Sequence, residues 1–520
     1  MGKDKNKHKD NRIYGFLPFF IASILLIIVI ALRPAFHWFF MPFYKNPAII
    51  EGLILSILIP CWFYKQTLKK SKNDKIEIVQ NRINAIYVFI LVFIGFLIFF
   101  STLQDFYMQV YLSHHLRYEK IKDLPNVDPA VVRIVPKVVS QKYAEDALQF
   151  SRYRIGQGSI VFMNKTPYWS YGLIPDGLIN TFVLKDKGSI YVDMSIFGKR
   201  TKIVEKSMQI GEGMLVTDSY LWQIYKRDYW IDKENPYFVP YKNHLYLVVP
   251  VIGYKFHFRF PIFFTTPFWK GIYLISDNGS IAFLTPKQAE NIAILKGQKL
   301  FPAKLTRTYI DSFNYMHGII NVLLYHRDQF KIADVPGQNN EQPFLVATKK
   351  GLKWILACEP YGQSYGIFRI YVVDARNGKI ELYQPPKTEA LIGPVRSVDY
   401  VKQAIPRVDW QAMRAVEPIP VIVNKTLYWQ VRIIPSDASG IAYVAMVNAE
   451  NPNDVTVLRS TKEVESFLEN GESAVKENVV NESNEVKGYK VLYRIIIKKD
   501  GKVIKSIPVY EGENVEILSH

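Results

Sequence analysis

Chemistry at a protein site needs titratable or nucleophilic side chains that converge, so histidines and cysteines are the first residues to place. Beyond the hydrophobic N-terminal region the histidines are His114, His115, His244, His257, His317, His326 and His520. None stands in an HExxH or HxH spacing and no cysteine accompanies them, so no zinc-type ligand set is expected. The two cysteines, Cys61 and Cys358, form no CxxC pair. In the topology argued below they lie in different compartments, so no disulfide framework is expected either. His114-His115 read as an interfacial pair, and His317 and His326 as helix-end histidines. His326-Arg327-Asp328 imitates a kinase catalytic loop without the Gly-rich loop or DFG that chemistry needs. Gly156-Gln157-Gly158 and Gly211-Glu212-Gly213 do not continue as phosphate-binding loops. The expectation is a protein with no catalytic residues, no metal ligands and no cofactor.

Aromatic pairs are the remaining candidates. Tyr168-Trp169 and Tyr428-Trp429 could form a ligand surface for glycans or peptides. Adjacent strand residues face opposite sides of a sheet, so one of each pair is expected in the core. Both pairs sit in a repeated segment. Val161 to Pro175 reads VFMNKTPYWSYGLIP and Val421 to Pro435 reads VIVNKTLYWQVRIIP, identical at eight of fifteen positions without a gap. Such self-similarity is the signature of a repeated structural unit. In each, Asn-Lys-Thr is a polar turn, Tyr-Trp opens a strand, and the proline ends it because it cannot donate to a ladder. A third copy, Lys349 to Pro360 (KKGLKWILACEP), keeps the turn and the Trp-to-Pro interval of six. A fourth, Asn243 to Pro250, has Tyr246 at a shorter interval.

Strand pairs are expected after each proline. They turn around Lys185 to Gly188, Asp277-Asn278-Gly279 and Asp374 to Gly378, with a last one at Asp500-Gly501, since Asn-Gly and its relatives supply the positive φ of hairpin turns. Helices are expected over 136–149, 285–295, 394–405 and 461–469. An amphipathic helix is expected over 301–330, where Leu305, Tyr309, Phe313, Met316, Ile320 and Leu323 recur at helical spacing. Residues 471–487 read as a polar linker and 488–520 as a C-terminal hairpin.

Three apolar runs precede all of this: Gly15 to Leu32, Ala48 to Tyr64 and Ile83 to Leu103, each near the ~20 residues that cross a hydrocarbon core. The second carries Glu51 and Pro60. Trp38, Trp62, Tyr64, Tyr107 and Tyr111 cluster at run ends as an aromatic belt. Basic residues number five before the first run, two between the first and second, and six between the second and third. That bias puts residues 1–14 and the loop 65–82 in the cytoplasm and everything after Asp105 outside. No small-x-small cleavage site follows the first run, which argues against a removed signal peptide.

The net charge of +18 divides unevenly. Residues 1–104 hold 13 Lys/Arg against 5 Asp/Glu, a net +8, and the other 416 residues hold only +10. No dense basic stripe with interleaved aromatics is present, so a nucleic-acid partner is not expected.

The fold class expected is α+β: three N-terminal transmembrane helices within 15–104, then a large ectodomain of repeated antiparallel β-hairpin units with interspersed helices. Its halves are 105–300 and 331–470, either side of the amphipathic helix. Tyr371 to Ile380 (YVVDARNGKI), with Asp374, Asn377, Gly378 and Ile380 in register, resembles the hairpin of PepSY-type extracytoplasmic domains. That resemblance implies a non-catalytic envelope domain that binds or regulates other envelope proteins. The functional expectation is a membrane-anchored binding or scaffold protein of the cell envelope, with the lipid bilayer and an envelope or membrane protein as partners. An accessory subunit of a membrane complex and a membrane-bound hydrolase of unfamiliar type are the alternatives.

Overall fold

Backbone in an apolar setting must satisfy its own hydrogen bonds, and a helix does this within one segment. The N-terminal region is accordingly helical. The computed structural model describes Ser23 and residues 27–70, 75–337, 341–362, 364–386, 390–471, 491–499 and 502–510. Helix α1 spans Ile27–Lys45 with a 3-10 turn at Arg33–Phe36, α2 spans Ala48–Lys70, and α3 runs unbroken from Lys75–His115. Among the described residues two stretches are long and apolar enough to cross a membrane, Ile27–Lys45 and Ile86–His115. Three were expected, and α2 falls short among the described residues. Most of the first expected run lies outside the described residues, and the described apolar helix extends thirteen residues past its end at Leu32. The second run is helical, and among the described residues its apolar part is Ala48–Leu58.

The chain leaves α3 almost directly into a sheet. Strand β1 (Tyr118–Ile121) pairs in parallel with a strand 262 residues later, Tyr118 opposite Ile380. Four sheets follow, each a meander preceded by a short helix, and in three of them one hairpin strand carries two partners on one side. In the first unit, α4 (Lys137–Asp146) precedes β2 (Tyr153–Ile155), β3 (Ser159–Met163), β4 (Thr166–Pro175), helix α5 (Leu178–Val183), β5 (Asp186–Asp193) and β6 (Thr201–Met208). Strands β2 and β3 both pair with β4, and the order continues β4-β5-β6. The second unit has α6 (Tyr220–Arg227), β7 (Asp232–Lys233), β8 (Tyr237–Tyr241), β9 (His244–Arg259), β10 (Ile262–Ser276) and β11 (Ile281–Leu284). Here β7 and β8 share β9, then β10 and β11 follow.

The third unit has α7 (Ala303–Ser312), β12 (Phe330–Ile332), β13 (Phe344–Thr348), β14 (Gly351–Pro360), the short β15 (Gly366–Ile367), β16 (Arg369–Asp374) and β17 (Ile380–Tyr383). Again β12 and β13 share β14, followed by β16 and β17. Strand β18 (Leu391–Ile392) pairs with β15. The fourth unit has α8 (Pro394–Ala404), β19 (Met413–Val423), β20 (Thr426–Pro435), β21 (Tyr443–Asn448), β22 (Val455–Leu458) and α9 (Thr461–Asn470). Strand β19 is one strand, with a break in register between Val416 and Ile419 where the other units have two strands. A separate hairpin pairs β23 (Val491–Lys499) with β24 (Lys502–Tyr510).

Turn chemistry sets the hairpins. Asn164-Lys165, Lys242-Asn243 and Asn424-Lys425 all have positive φ, 46° to 71°. Two consecutive positive-φ residues make the turn whose twist matches a hairpin, and Asn tolerates that region best. Three residues into each central strand stands a buried side chain: Trp169, Leu247, Trp354 and Trp429. The three indoles make equivalent bonds. Trp169 Nε1 donates to the Val135 carbonyl (3.1 Å), Trp354 Nε1 to Phe301 (3.0 Å) and Trp429 Nε1 to Ile392 (2.8 Å). Each acceptor lies within two residues of the proline that opens or immediately precedes a helix, so each tryptophan ties its sheet to its own helix.

Two further expectations need correction. Residues 180–194 do not form a hairpin. They form α5 and then the single strand β5, in which Gly188 (φ 137°) abuts the Val204 carbonyl too closely for any Cβ. The 301–330 helix is also broken. Helix α7 ends at Ser312, a 3-10 turn follows, and Gly318 (φ 79°) redirects the chain into a short π-type turn at Asn321–Tyr325 that stops at His326 (φ 51°). The linker 471–487 lies outside the described residues save Gly471, which ends α9 at φ 75°.

Candidate binding site

All four units contribute to one cavity of about 350 Å³. Its wall includes Arg133, Lys137, Ser159 and Trp169 from the first unit and its approach, Glu234 and Pro250 from the second, Lys299 to Ala303 and Trp354 from the third, and Glu417 from the fourth. The cavity is large enough for a small ligand.

Two of its lining residues, Arg133 and Glu417, belong to an ionic joint. Arg432, on β20, is fully buried. Its Nε donates to the Ile134 carbonyl (3.1 Å), and its two terminal nitrogens donate to the carbonyls of Glu417 (2.7 Å) and Arg133 (2.9 Å). Glu417 lies in the β19 break at φ 52°, a region other residue types than Gly and Asn seldom adopt. Its carboxylate accepts the Lys137 N–H at the start of α4 and faces Arg133 at 3.7 Å and Arg432 at 3.9 Å. Arg133 in turn donates to the Leu345 carbonyl on β13. Burial lowers the pKa of Arg432 to about 9 and that of Arg133 below its ordinary value, with Glu417 opposing both shifts. Strands of the third and fourth units and the strap 133–137 of the first are thereby bonded through three side chains.

Lys299 projects from the segment that joins the second and third units. That segment is pinned by Arg376, which donates to the carbonyls of Glu290, Leu295 and Gln298, and by Gln298, which exchanges two bonds with the backbone of Phe162. The Lys299 ammonium donates to Ser159 Oγ at 2.8 Å and lies 5.4 Å and 5.9 Å from the ring centres of Tyr237 and Trp354. Burial lowers its pKa to about 8, an effect that Glu234 opposes and Arg133 and Lys137 reinforce. A buried amine beside two aromatic faces and a guanidinium can receive an anionic group and stack its apolar part.

The four aromatic candidates divide. Trp169 is 5 % exposed and borders the cavity, whereas Trp429 is fully buried and packs against Phe344. Tyr168 and Tyr428 are half-buried on the opposite sides of their strands, and Tyr428 packs edge-on against Phe467. The structure therefore does not bring the four into one surface. Asp374, central to the YVVDARNGKI resemblance, accepts the N–H groups of Arg376 and Asn377 and pairs with Lys353 at 3.0 Å, which shapes its turn.

The histidines are spread along the structure with local partners. His244 pairs with Asp277, His317 with Asp328, and His326 bonds Gln329 and stacks on Tyr361. Among the described residues no group of three or more His, Cys, Asp or Glu is arranged to hold a metal ion. The two glycine pairs serve packing. The 211–213 loop wraps Asp186, whose carboxylate accepts the Glu212 N–H (2.7 Å), and Gly156 backs onto the Glu212 side chain. Burial raises the pKa of Asp186 to about 7.

Two segments carry the spacing of serine-nucleophile motifs, Gly362-Gln363-Ser364-Tyr365-Gly366 and Ser473-Ala474-Val475-Lys476. The second lies outside the described residues. In the first, Ser364 Oγ accepts the Gly366 N–H, and the two-residue strand β15 follows where a nucleophile elbow would open a helix.

No family model, curated protein or solved structure matches this chain.

Proposed function

We propose that this chain is a membrane-anchored, non-enzymatic binding or scaffold protein of the cell envelope. Its apolar helices cross the bilayer, its N-terminus and the 65–82 loop are cytoplasmic, and the domain after Asp105 is extracytoplasmic. The second helix completes the crossing in this reading, giving three spans. The four sheets derive from one duplicated unit, and the PepSY-type resemblance in the third fits an envelope-facing domain. One observation carries the binding reading: residues of all four units line a single cavity with charged and aromatic side chains. Lys299 and Arg133 supply its cationic side and Trp169 and Trp354 its flat apolar sides, so its ligand is a small molecule or chain end with an anionic group.

The test is native mass spectrometry of the full chain purified in mild detergent from its own host. An adduct of a few hundred daltons that disappears in Lys299→Met supports the reading, and a bare wild-type protein overturns it. Fluorophosphonate labelling abolished by Ser364→Ala would instead establish the hydrolase alternative.

A second reading, the accessory subunit of a membrane complex, is favoured by α5. Leu178, Ile179, Phe182 and Val183 are all exposed on this six-residue helix. Thr181 on α5 bonds Leu215, and Gln209 bonds Asp277 beyond the far end of β10. The opposite end of β10 touches α2 and α3, so α5 lies remote from the apolar helices, where a protein partner would cover it. Copurification of one stoichiometric partner, lost in Ile179→Asp, would support this reading.

A further inference from the structure

In the first, third and fourth units the central strand is ten residues long and ends in a proline: Pro175, Pro360 and Pro435. The equivalent position in the second unit is Gly253, and β9 continues to Arg259 for a total of sixteen residues. The extension and its return on β10 form a tip that reaches the apolar helices. Ile262 is fully buried against Ala48 and Phe100. The Phe263 N–H, on the outer edge of the hairpin, donates to the Glu51 carboxylate at 2.9 Å, and Tyr107 donates to the Phe260 carbonyl at 3.2 Å. Glu51 is thus the acceptor for a strand amide that would otherwise be unpaired among apolar groups.

The height of this contact follows from helix geometry. A hydrocarbon core about 30 Å thick takes about 20 residues at 1.5 Å each. Counted from Ile86, just after Arg82, the core ends near Asp105. Phe100 then lies about 8 Å inside that boundary, and Ile262 with it. The tip nevertheless exposes Phe258, Phe260 and Phe263, Phe260 by 82 %. A second projection from the third unit stands beside the same helix. Tyr315 meets Phe106 at 6.0 Å, and the turn that follows exposes Ile320, Leu323 and Leu324, the last by 70 %. Arg259 lies within the first tip, between Phe258 and Phe260 and opposite Ile262, and Arg327 follows the second; both are exposed.

We propose that the β9–β10 tip and the 318–325 turn are immersed in the extracytoplasmic leaflet of the bilayer, the apolar side chains in the acyl region and the long Arg259 and Arg327 side chains extended toward the phosphates. The ectodomain is then seated in the membrane rather than held above it. This rests on the reading that α1 and α3 cross the bilayer.

The test uses the full chain in liposomes with Cys61→Ser, the buried Cys358 retained. A fluorescent NBD label is placed in turn at Phe260→Cys, Phe258→Cys, Leu324→Cys and, as the aqueous reference, Ile179→Cys. Labels at 260, 258 and 324 should be quenched several-fold more by doxyl-labelled lipid than by aqueous iodide, and the label at 179 the reverse. If the first three behave like 179 while the chain resists alkaline carbonate extraction, immersion is wrong and the anchor stands. If carbonate releases the chain, the anchor reading and this proposal both fall.

Discussion

Replacing Arg432 with Met should release the strap 133–137 from the fourth unit. The side chain is fully buried and gives up four donated bonds, leaving the carbonyls of Ile134, Glu417, Gln430 and Arg133 without that partner. It also leaves Glu417 with Arg133 alone as a neighbouring charge. Removing one member of a buried, hydrogen-bonded ion cluster costs about 3–5 kcal/mol. The amides to watch are Ile134 and Val135, which donate to the Met194 carbonyl and lie beside the joint. Hydrogen exchange on the detergent-solubilised chain should show their protection falling by two to three orders of magnitude, since about 1.4 kcal/mol is a factor of ten. Arg432→Met combined with Glu417→Leu should not restore it, because Arg133 is then buried without a counter-charge. Unchanged protection in the single variant would refute the view that this cluster holds the units together.

Trp429→Ala should cost about 3–5 kcal/mol, the range for a fully buried aromatic, and Trp169→Ala less, because one face of its ring already borders the cavity; thermal melts of the two variants order them. Asp186 keeps its proton in the folded state up to about pH 7, against 3.8 in an ordinary carboxyl. The folded state therefore binds more protons across that window, and stability falls as pH rises from about 4 to 7, by up to roughly 4 kcal/mol. Asp186→Asn should flatten that slope in denaturant titrations taken at each pH. Lys299 has the opposite sign. Its folded pKa of about 8 lies below the ordinary 10.5, so stability rises with pH between the two values. Lys299→Met should remove that rise and be more stable than wild type at pH 7.

The hairpin turns were legible because a two-residue turn with positive φ at both positions restricts composition, and because a tryptophan and a proline at fixed offsets leave a readable trace. The same logic hid the second unit. Its turn reads Lys242-Asn243, its core position holds Leu247, and its strand has no closing proline. Taking Tyr246 as the equivalent residue put the alignment off by one. The β9 extension was illegible for the same reason, since a strand without a stop signal does not announce its length. Helix α5 was misread because Lys185 to Gly188 has turn composition, while the real bend lies at Gly177 (φ 83°). The cavity could not be seen at all. Nothing in the spacing of Arg133, Lys299, Glu417 and Arg432 links them, and they come together only in the folded chain. Ser364 in its GxSxG spacing shows the reverse case, a visible pattern whose context is wrong for the chemistry it suggests.

The account depends most on where the large domain lies relative to the bilayer. Exposed Asp437, between β20 and β21, belongs to the fourth unit, far along the chain from the apolar helices. A cysteine placed there in intact cells, in the Cys61→Ser background, should react fully with a membrane-impermeant maleimide, while a tag at the N-terminus stays protected from added protease until the membrane is opened. A cysteine at 437 that reacts only after permeabilisation would contradict the extracytoplasmic assignment and, with it, the envelope function.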